Sequence, residues 1–200
     1  MGYLLYIDST VRPAGVSRTA RLGEEFLRGY REAHPDAEVR VRYLPEMGLK
    51  PHTWESLQQR DALLAAGQES DARFELAREF AEADTLVMAA PFWDLSFPAY
   101  LKLYFENVSC CGITFGFDGN RMFGRCRCRK VLFLTTRGGV FSGVDSDMEQ
   151  AMPQLRAYSK MFGLGEVDIV FAEGIDLDTC DGDALLQAAA ARAYEAGLKF

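Results

Sequence analysis

Three short stretches carry residue types whose spacing suits binding chemistry. In the first, Ser9, Ser17, Arg18 and Thr19 place hydroxyls and a guanidinium between the end of an apolar run and the start of a helix. The unpaired amides and dipole of a helix start favour negative charge, so a phosphate fits there. In the second, Pro91, Phe92, Trp93, Asp94, Leu95, Ser96, Phe97 and Pro98 crowd three aromatic rings into the loop after the run Leu86 to Ala90. A planar ligand could lie along that wall; the alternative is that the rings close the top of a core. In the third, Thr136, Arg137, Gly138 and Gly139 end another apolar run. The glycine pair lets backbone approach a flat ring closely, with two amides and a nearby cation to meet carbonyl oxygens or negative charge. Taken singly, the first and third stretches are also an ordinary N-cap and an ordinary glycine turn.

The chain has 200 residues, 48% of them hydrophobic, which suits one domain over 1–200 with a sizeable core. An excess of 29 acidic over 22 basic residues, net charge -7, argues against a nucleic-acid or anionic-membrane surface, because either needs a basic field. The dense basic run Arg125 to Lys130 reads as a solvated turn before a strand. No apolar run approaches the ~20 residues that span a bilayer and no leader precedes the first strand, so a cytoplasmic protein is expected. The five cysteines, Cys110, Cys111, Cys126, Cys128 and Cys180, then read as reduced thiols. Their spacing lacks the two-residue gaps of zinc or iron–sulfur sites and only His34 and His52 could assist them, so no metal is expected.

The elements that must position these stretches alternate along the chain. Tyr3 to Ile7 is a strand-like run; Ser17 caps a helix with Leu22, Phe26 and Tyr30 at fourfold spacing, which stops at His34-Pro35. Val39, Val41 and Tyr43 alternate with charged residues, as on a half-buried edge strand. Helical pieces over 55–66 and 71–83 precede a strand at Thr85 to Ala89, and Pro98 opens a helix through Ala99, Leu103 and Val108. Residues 113–124 form a small hairpin excursion, Val131 to Leu134 a strand covered on both faces, and 146–162 a helix; a strand at 167–171 and a helix over 183–197 follow. Strands and helices in alternation, with right-handed crossovers, give a doubly wound α/β sheet of five parallel strands with helices on both faces. The edge character of the second strand favours the flavodoxin-like order 2-1-3-4-5 over 3-2-1-4-5.

In that order the loops after the first and third strands face each other across one crevice, with the loop after the fourth beside them. A phosphate cradle, an aromatic wall and a glycine floor around one crevice describe a nucleotide with a planar tricyclic head, flavin mononucleotide (FMN). Other nucleotide chemistries lack their signatures: between Asp8 and Thr19 only Gly15 is present, against the Gly-x-Gly-x-x-Gly of dinucleotide folds, and no Walker or Gly-x-Ser-x-Gly motif occurs.

The chain resembles the FMN-dependent NAD(P)H:quinone oxidoreductases and NADH-azoreductases. The resemblance runs through Ser17 to Leu22, Ala90 to Leu95, Gly112 to Phe115, Thr135 to Gly139 and Phe171 to Ile175, and is loose only at 45–69 and in the last helix. It implies that Ser9, Ser17, Arg18 and Thr19 hold the FMN phosphate, that Pro91, Phe92, Trp93, Asp94 and Leu95 lie along the isoalloxazine, and that Thr136, Arg137, Gly138 and Gly139 meet its pyrimidine edge. It further implies a homodimer with two interfacial sites, and ping-pong hydride transfer from NADH or NADPH through the flavin to a quinone or azo acceptor. With the flavin carrying the chemistry, no side chain is required as a general base, and Phe115 and Phe117 join the aromatic walls around a planar substrate. Two departures stand out: Arg18 replaces a common Gln, and Asp94 a common Asn, where a carboxylate would accept from flavin N3–H yet disfavour negative charge on the ring. A flavodoxin-like FMN electron carrier, and a flavin-free domain of the same fold, are the competing readings.

Overall fold

The computed structural model describes residues 2–13 and 15–200. In chain order its elements are β1 (Tyr3–Asp8), α1 (Arg18–Ala33), β2 (Glu38–Tyr43), α2 (Trp54–Ala65), α3 (Glu75–Glu82), β3 (Thr85–Ala89), α4 (Ala99–Val108), β4 (Phe115–Asp118), β5 (Arg121–Gly124), β6 (Lys130–Thr136), α5 (Ala151–Phe162), β7 (Val167–Ala172) and α6 (Gly182–Lys199). Five parallel strands form the main sheet in the order β2-β1-β3-β6-β7, while β4 and β5 pair as a separate antiparallel hairpin. This is the expected 2-1-3-4-5 order, β6 and β7 being its fourth and fifth strands.

Because successive strand residues point to opposite faces, the central strands build two cores and are apolar through their middles. Leu5, Ile7, Met88 and Phe133 pack with Phe80, Leu101, Tyr104, Phe105 and Phe162 of α3, α4 and α5. Leu4, Tyr6, Val87 and Leu134 pack with Leu22, Phe26, Ala189 and Ala193 of α1 and α6. Helices α1 and α6 touch at glycine: a Cβ on Gly197 would sit 2.2 Å from the Phe26 carbonyl oxygen. The edge strand β2 is held by a forked ion pair in which Arg42 donates to both oxygens of buried Glu79 on α3 at 2.7 Å. Such geometry makes it one of the few ion pairs here with structural weight.

Two local expectations are revised. The helix expected over 146–162 is broken: Ser146–Met148 is a single 3₁₀ turn, Glu149 is extended (φ -79°, ψ 100°), and α5 starts at Ala151. The Glu149 carboxylate caps the new start, accepting from the amides of Ala151 and Met152 at 3.1 and 3.2 Å. The basic run at 125–130 is not a turn but an extended segment, with its arginines outward and Cys126 and Cys128 buried. Its amides donate to α3, the following loop and α5: Arg127 to Ala81 at 2.8 Å, Arg129 to Asp84 at 3.2 Å, Cys126 to Phe162 at 3.1 Å.

Burial pushes the Cys126 thiol up to about 12 and the Cys128 thiol to about 11, and raises Cys110 likewise. These thiols therefore act as small apolar packing groups rather than nucleophiles. Ellman's reagent at pH 8 is expected to titrate exposed Cys111 and Cys180 in the native protein, and Cys110, Cys126 and Cys128 only after unfolding. Rapid native-state modification of Cys126 or Cys128 would contradict their packing role.

Candidate functional site

The ends of three central strands are laced together before their loops part. The amide of Ser9 donates to Ala89 (2.8 Å), that of Ala90 to Leu134 (3.0 Å) and that of Phe92 to Thr136 (3.1 Å). Beyond β1, Ser17 is the N-cap of α1, its Oγ accepting from the Ala20 amide at 3.2 Å. Its hydroxyl hydrogen, with the first-turn amides that have no partner within the helix, suits this corner to an anion. Buried Thr19 lies 2.6 Å, oxygen to oxygen, from Thr136 at the end of β6, tying the helix start to the glycine turn.

The aromatic corner splits into core and wall. Phe97 faces inward and is 6% exposed, whereas Phe92 is half-buried and Trp93 is 42% exposed. Two backbone hydrogen bonds, Ser96 to Trp93 (2.8 Å) and Trp93 to Ser96 (3.2 Å), close a two-residue turn with Asp94 and Leu95 at φ 49° and 60°. Aspartate tolerates this left-handed region; for leucine it costs roughly 1–2 kcal/mol. The strain is held from behind, since the Leu95 carbonyl accepts from the amide of Gln150 just before α5 (2.9 Å).

The glycine turn is pinned to the loop after β7. Arg137 donates its amide to Ala172 (2.8 Å), while the carbonyls of Gly138 and Gly139 accept from the amides of Asp176 (3.1 Å) and Gly174 (2.9 Å). Gly138 lies close beneath the Asp176 carboxylate: a Cβ there would stand 2.5 Å from it, so any other residue would push that side chain aside. The Arg137 guanidinium is buried between Glu149 (3.3 Å) and Glu173 (3.6 Å), and lies 5.2 Å from the Phe92 ring centre and 4.9 Å from that of Phe171. Glu173 also accepts from the Phe141 amide (3.0 Å) and the Ser142 hydroxyl. The arginine thus serves the walls of the site from behind, its charge balanced by two carboxylates.

Together these loops line a cleft of about 140 Å³, bounded by Val11, Arg12, Ser17, Arg18, Thr19, Pro91, Phe92, Trp93, Thr136, Gly138 and Asp176. Eight of the residues expected from sequence to bind a cofactor meet there: Ser17, Arg18, Thr19, Pro91, Phe92, Trp93, Thr136 and Gly138. Ser9 lies outside that lining, fully buried, with an Oγ that has no hydrogen-bond partner among the described residues. Gly139 is packed beside Phe141, and Asp94 lines an adjoining groove with Trp93, Phe97, Lys102 and Glu106. Leu95 is exposed next to it. Phe115 and Phe117 stand on β4, ring centres 5.9 Å apart, the first against the core and the second 58% exposed, and neither lines the cleft. Sequence reasoning missed Val11, Arg12 and Asp176; only the position of Asp176 just past the Phe171 to Ile175 stretch marked it. Among the described residues no group of three or more His, Cys, Asp and Glu is placed to hold a metal ion.

Replacing Arg137 with Met leaves Glu149 and Glu173 facing each other without a cation, which is expected to cost roughly 3–5 kcal/mol of stability in urea unfolding. A loss below about 1 kcal/mol would contradict the network's structural weight.

The family model for the flavodoxin-like fold matches residues 3–196. An FMN-dependent NADH:quinone oxidoreductase 2 of Clostridium acetobutylicum is 32% identical over 201 residues, covering 100% of both chains. The corresponding enzyme of Pseudomonas putida is 33% identical over 88% of this chain and 90% of its own. A crystal structure of azoreductase from Bacillus anthracis superposes with a TM-score of 0.89 at 26% identity, covering 100% of both chains. From its first strand to its last helix, the chain belongs to the flavodoxin-like family of FMN-dependent NADH:quinone oxidoreductases and azoreductases.

Proposed function

We propose that the protein is an FMN-dependent oxidoreductase that takes reducing equivalents from NADH or NADPH and delivers them, in ping-pong fashion, to a quinone, azo compound or related planar acceptor. The observation that carries this reading is the convergence of a capped helix start, the Phe92–Trp93 wall and Gly138 on one cleft. The residues suit FMN: the lining offers hydroxyls, arginines and first-turn amides for a phosphate, and an aromatic wall for a flat ring. The named relatives act with FMN and NADH on quinones, and the solved neighbour is an azoreductase.

When bound, FMN supplies two-electron redox chemistry between nicotinamide and acceptor. The protein's own residues bind and orient. Ser17 and Thr19, with Arg12 and Arg18 at the mouth, hold the phosphate, and Ser9 supports that loop from the buried layer beneath. Phe92 and Trp93 would flank the ring, with Asp94 and Leu95 beyond them toward its edge, and Thr136, Gly138 and Gly139 would meet its pyrimidine side. Arg137, paired with Glu149 and Glu173, would hold these walls in place behind the pyrimidine side. No proton-transfer group is required of the cleft, whose titratable side chains are Arg12, Arg18 and Asp176.

We further infer a homodimer, supported by the exposed apolar side chains Trp93, Leu95, Phe117, Met122 and Phe123 on the cleft rim and hairpin. In that assembly Phe115 and Phe117 would serve a site only across the interface, being off the cleft of their own chain. Among the described residues no helix is long and apolar enough to cross a membrane, and the five unbridged cysteines support a cytoplasmic setting.

Anaerobic stopped-flow mixing of the FMN-loaded protein with NADH or NADPH is expected to bleach the flavin absorbance rapidly, and a quinone or azo acceptor to restore it. Failure of both nicotinamides to bleach it would favour an electron carrier instead. Asp94 offers a second test, because Asn adopts its φ of 49° equally well, so Asp94→Asn removes charge without disturbing the backbone. The midpoint potential should rise in that variant, since a nearby carboxylate disfavours added negative charge on the ring. An unchanged potential in redox titration would remove Asp94 from the ring's surroundings.

A further inference from the structure

The cleft carries one group whose charge opposes its proposed ligand. Asp176, in the loop after β7, lies at the mouth between the helix start and the glycine turn, its amide on the Gly138 carbonyl (3.1 Å). Its carboxylate takes the Arg18 guanidinium as a fork, Nη1 to Oδ1 at 2.6 Å and Nη2 to Oδ2 at 3.3 Å. A carboxylate held this way uses the same pair of N–H groups that a phosphate dianion would take from an arginine. The Arg18 contact also keeps the Asp176 carboxyl below its usual range, so it is charged throughout neutral pH.

We propose that Asp176 is an affinity-setting residue that competes with the phosphate of FMN for Arg18 and so keeps the cofactor exchangeable. The inference rests on the FMN reading above. With Asp176 in place, Arg18 contributes a shared charge to the cradle, and Ser17, Thr19, Arg12 and the helix start do most of the holding. The effect is expected on the phosphate rather than the ring, because the Asp176 carboxylate is held on Arg18 at the helix start, whereas the aromatic wall is Phe92 and Trp93. Both partners are substantially solvated, with side chains 34% and 60% exposed, so the competition is of modest size and weakens with salt.

The test is equilibrium binding of FMN and of riboflavin, which lacks the phosphate, followed by quenching of flavin fluorescence at low salt. Asp176→Asn is expected to tighten FMN by up to about fivefold, the upper scale of freeing an arginine from a solvated ion pair, and to leave riboflavin unchanged. In an Arg18→Met background the same substitution should bring no gain, since the contested cation is gone. FMN binding that is unchanged or weaker in Asp176→Asn, an equal gain for riboflavin, or a gain that persists without Arg18 would each overturn the proposal. If the unaltered protein binds neither flavin, the FMN reading itself fails, and this inference with it; where the unaltered protein does bind FMN, a failure in the variants concerns Asp176 alone.

Discussion

The reversal of crossover direction between β1 and β3 is the constraint on which the rest of the structure depends. From β1 the chain turns into α1, which covers the face built by Leu4, Tyr6 and Val87; from β3 it turns into α4, which covers the face of Leu5, Ile7 and Met88. Right-handed crossovers leave no choice in this once the strand order is β2-β1-β3-β6-β7. Two loops leaving adjacent strands for opposite faces cannot fill the space between them, and a crevice opens at the carboxyl ends. The Thr19–Thr136 contact and the short ladder from Ser9 to Phe92 hold that crevice at fixed width.

Around the crevice the local stability rules bend, and neighbouring contacts compensate. Leu95 occupies a left-handed conformation unfavourable to a branched side chain, yet its carbonyl is fastened to the start of α5. Arg137 is buried with full charge, which only the flanking Glu149 and Glu173 make tolerable. Each of those carboxylates has a second duty, Glu149 as the cap of α5 and Glu173 as the anchor of Phe141 and Ser142. One buried cation therefore joins the loops after β6 and β7 to the helix that supports the aromatic corner.

Much of this was legible in the sequence because it is written locally. Alternation at Val39, Val41 and Tyr43 marked the edge strand, the unbroken run Val131 to Leu134 marked a buried one, and Ser17 marked a helix start. Together they lead to the strand order and hence to the crevice. What escaped depends on partners distant in the chain. Nothing near Arg137 signals that its charge is spent inward on Glu149 and Glu173, and nothing near Asp176 signals that it reaches back to Arg18. The extended course of Arg125 to Arg129 is likewise dictated by carbonyls of Ala81, Asp84 and Phe162 rather than by its own composition. Glu149 broke an otherwise plausible helix because a capping carboxylate and a helical one look alike in a sequence.

The central claim is that the cleft between the first and third strand loops seats the phosphate of FMN at the start of α1, held by amides, hydroxyls and arginines. Phosphorus NMR of the FMN-loaded protein tests it most directly, since a solvent-exposed phosphate monoester takes up its second proton near pH 6. The account predicts a single bound resonance, held as the dianion and unmoved between about pH 5 and 8 by the amides, hydroxyls and arginines around it. A bound resonance that titrates near pH 6 like free FMN would place the phosphate in solvent and contradict the account.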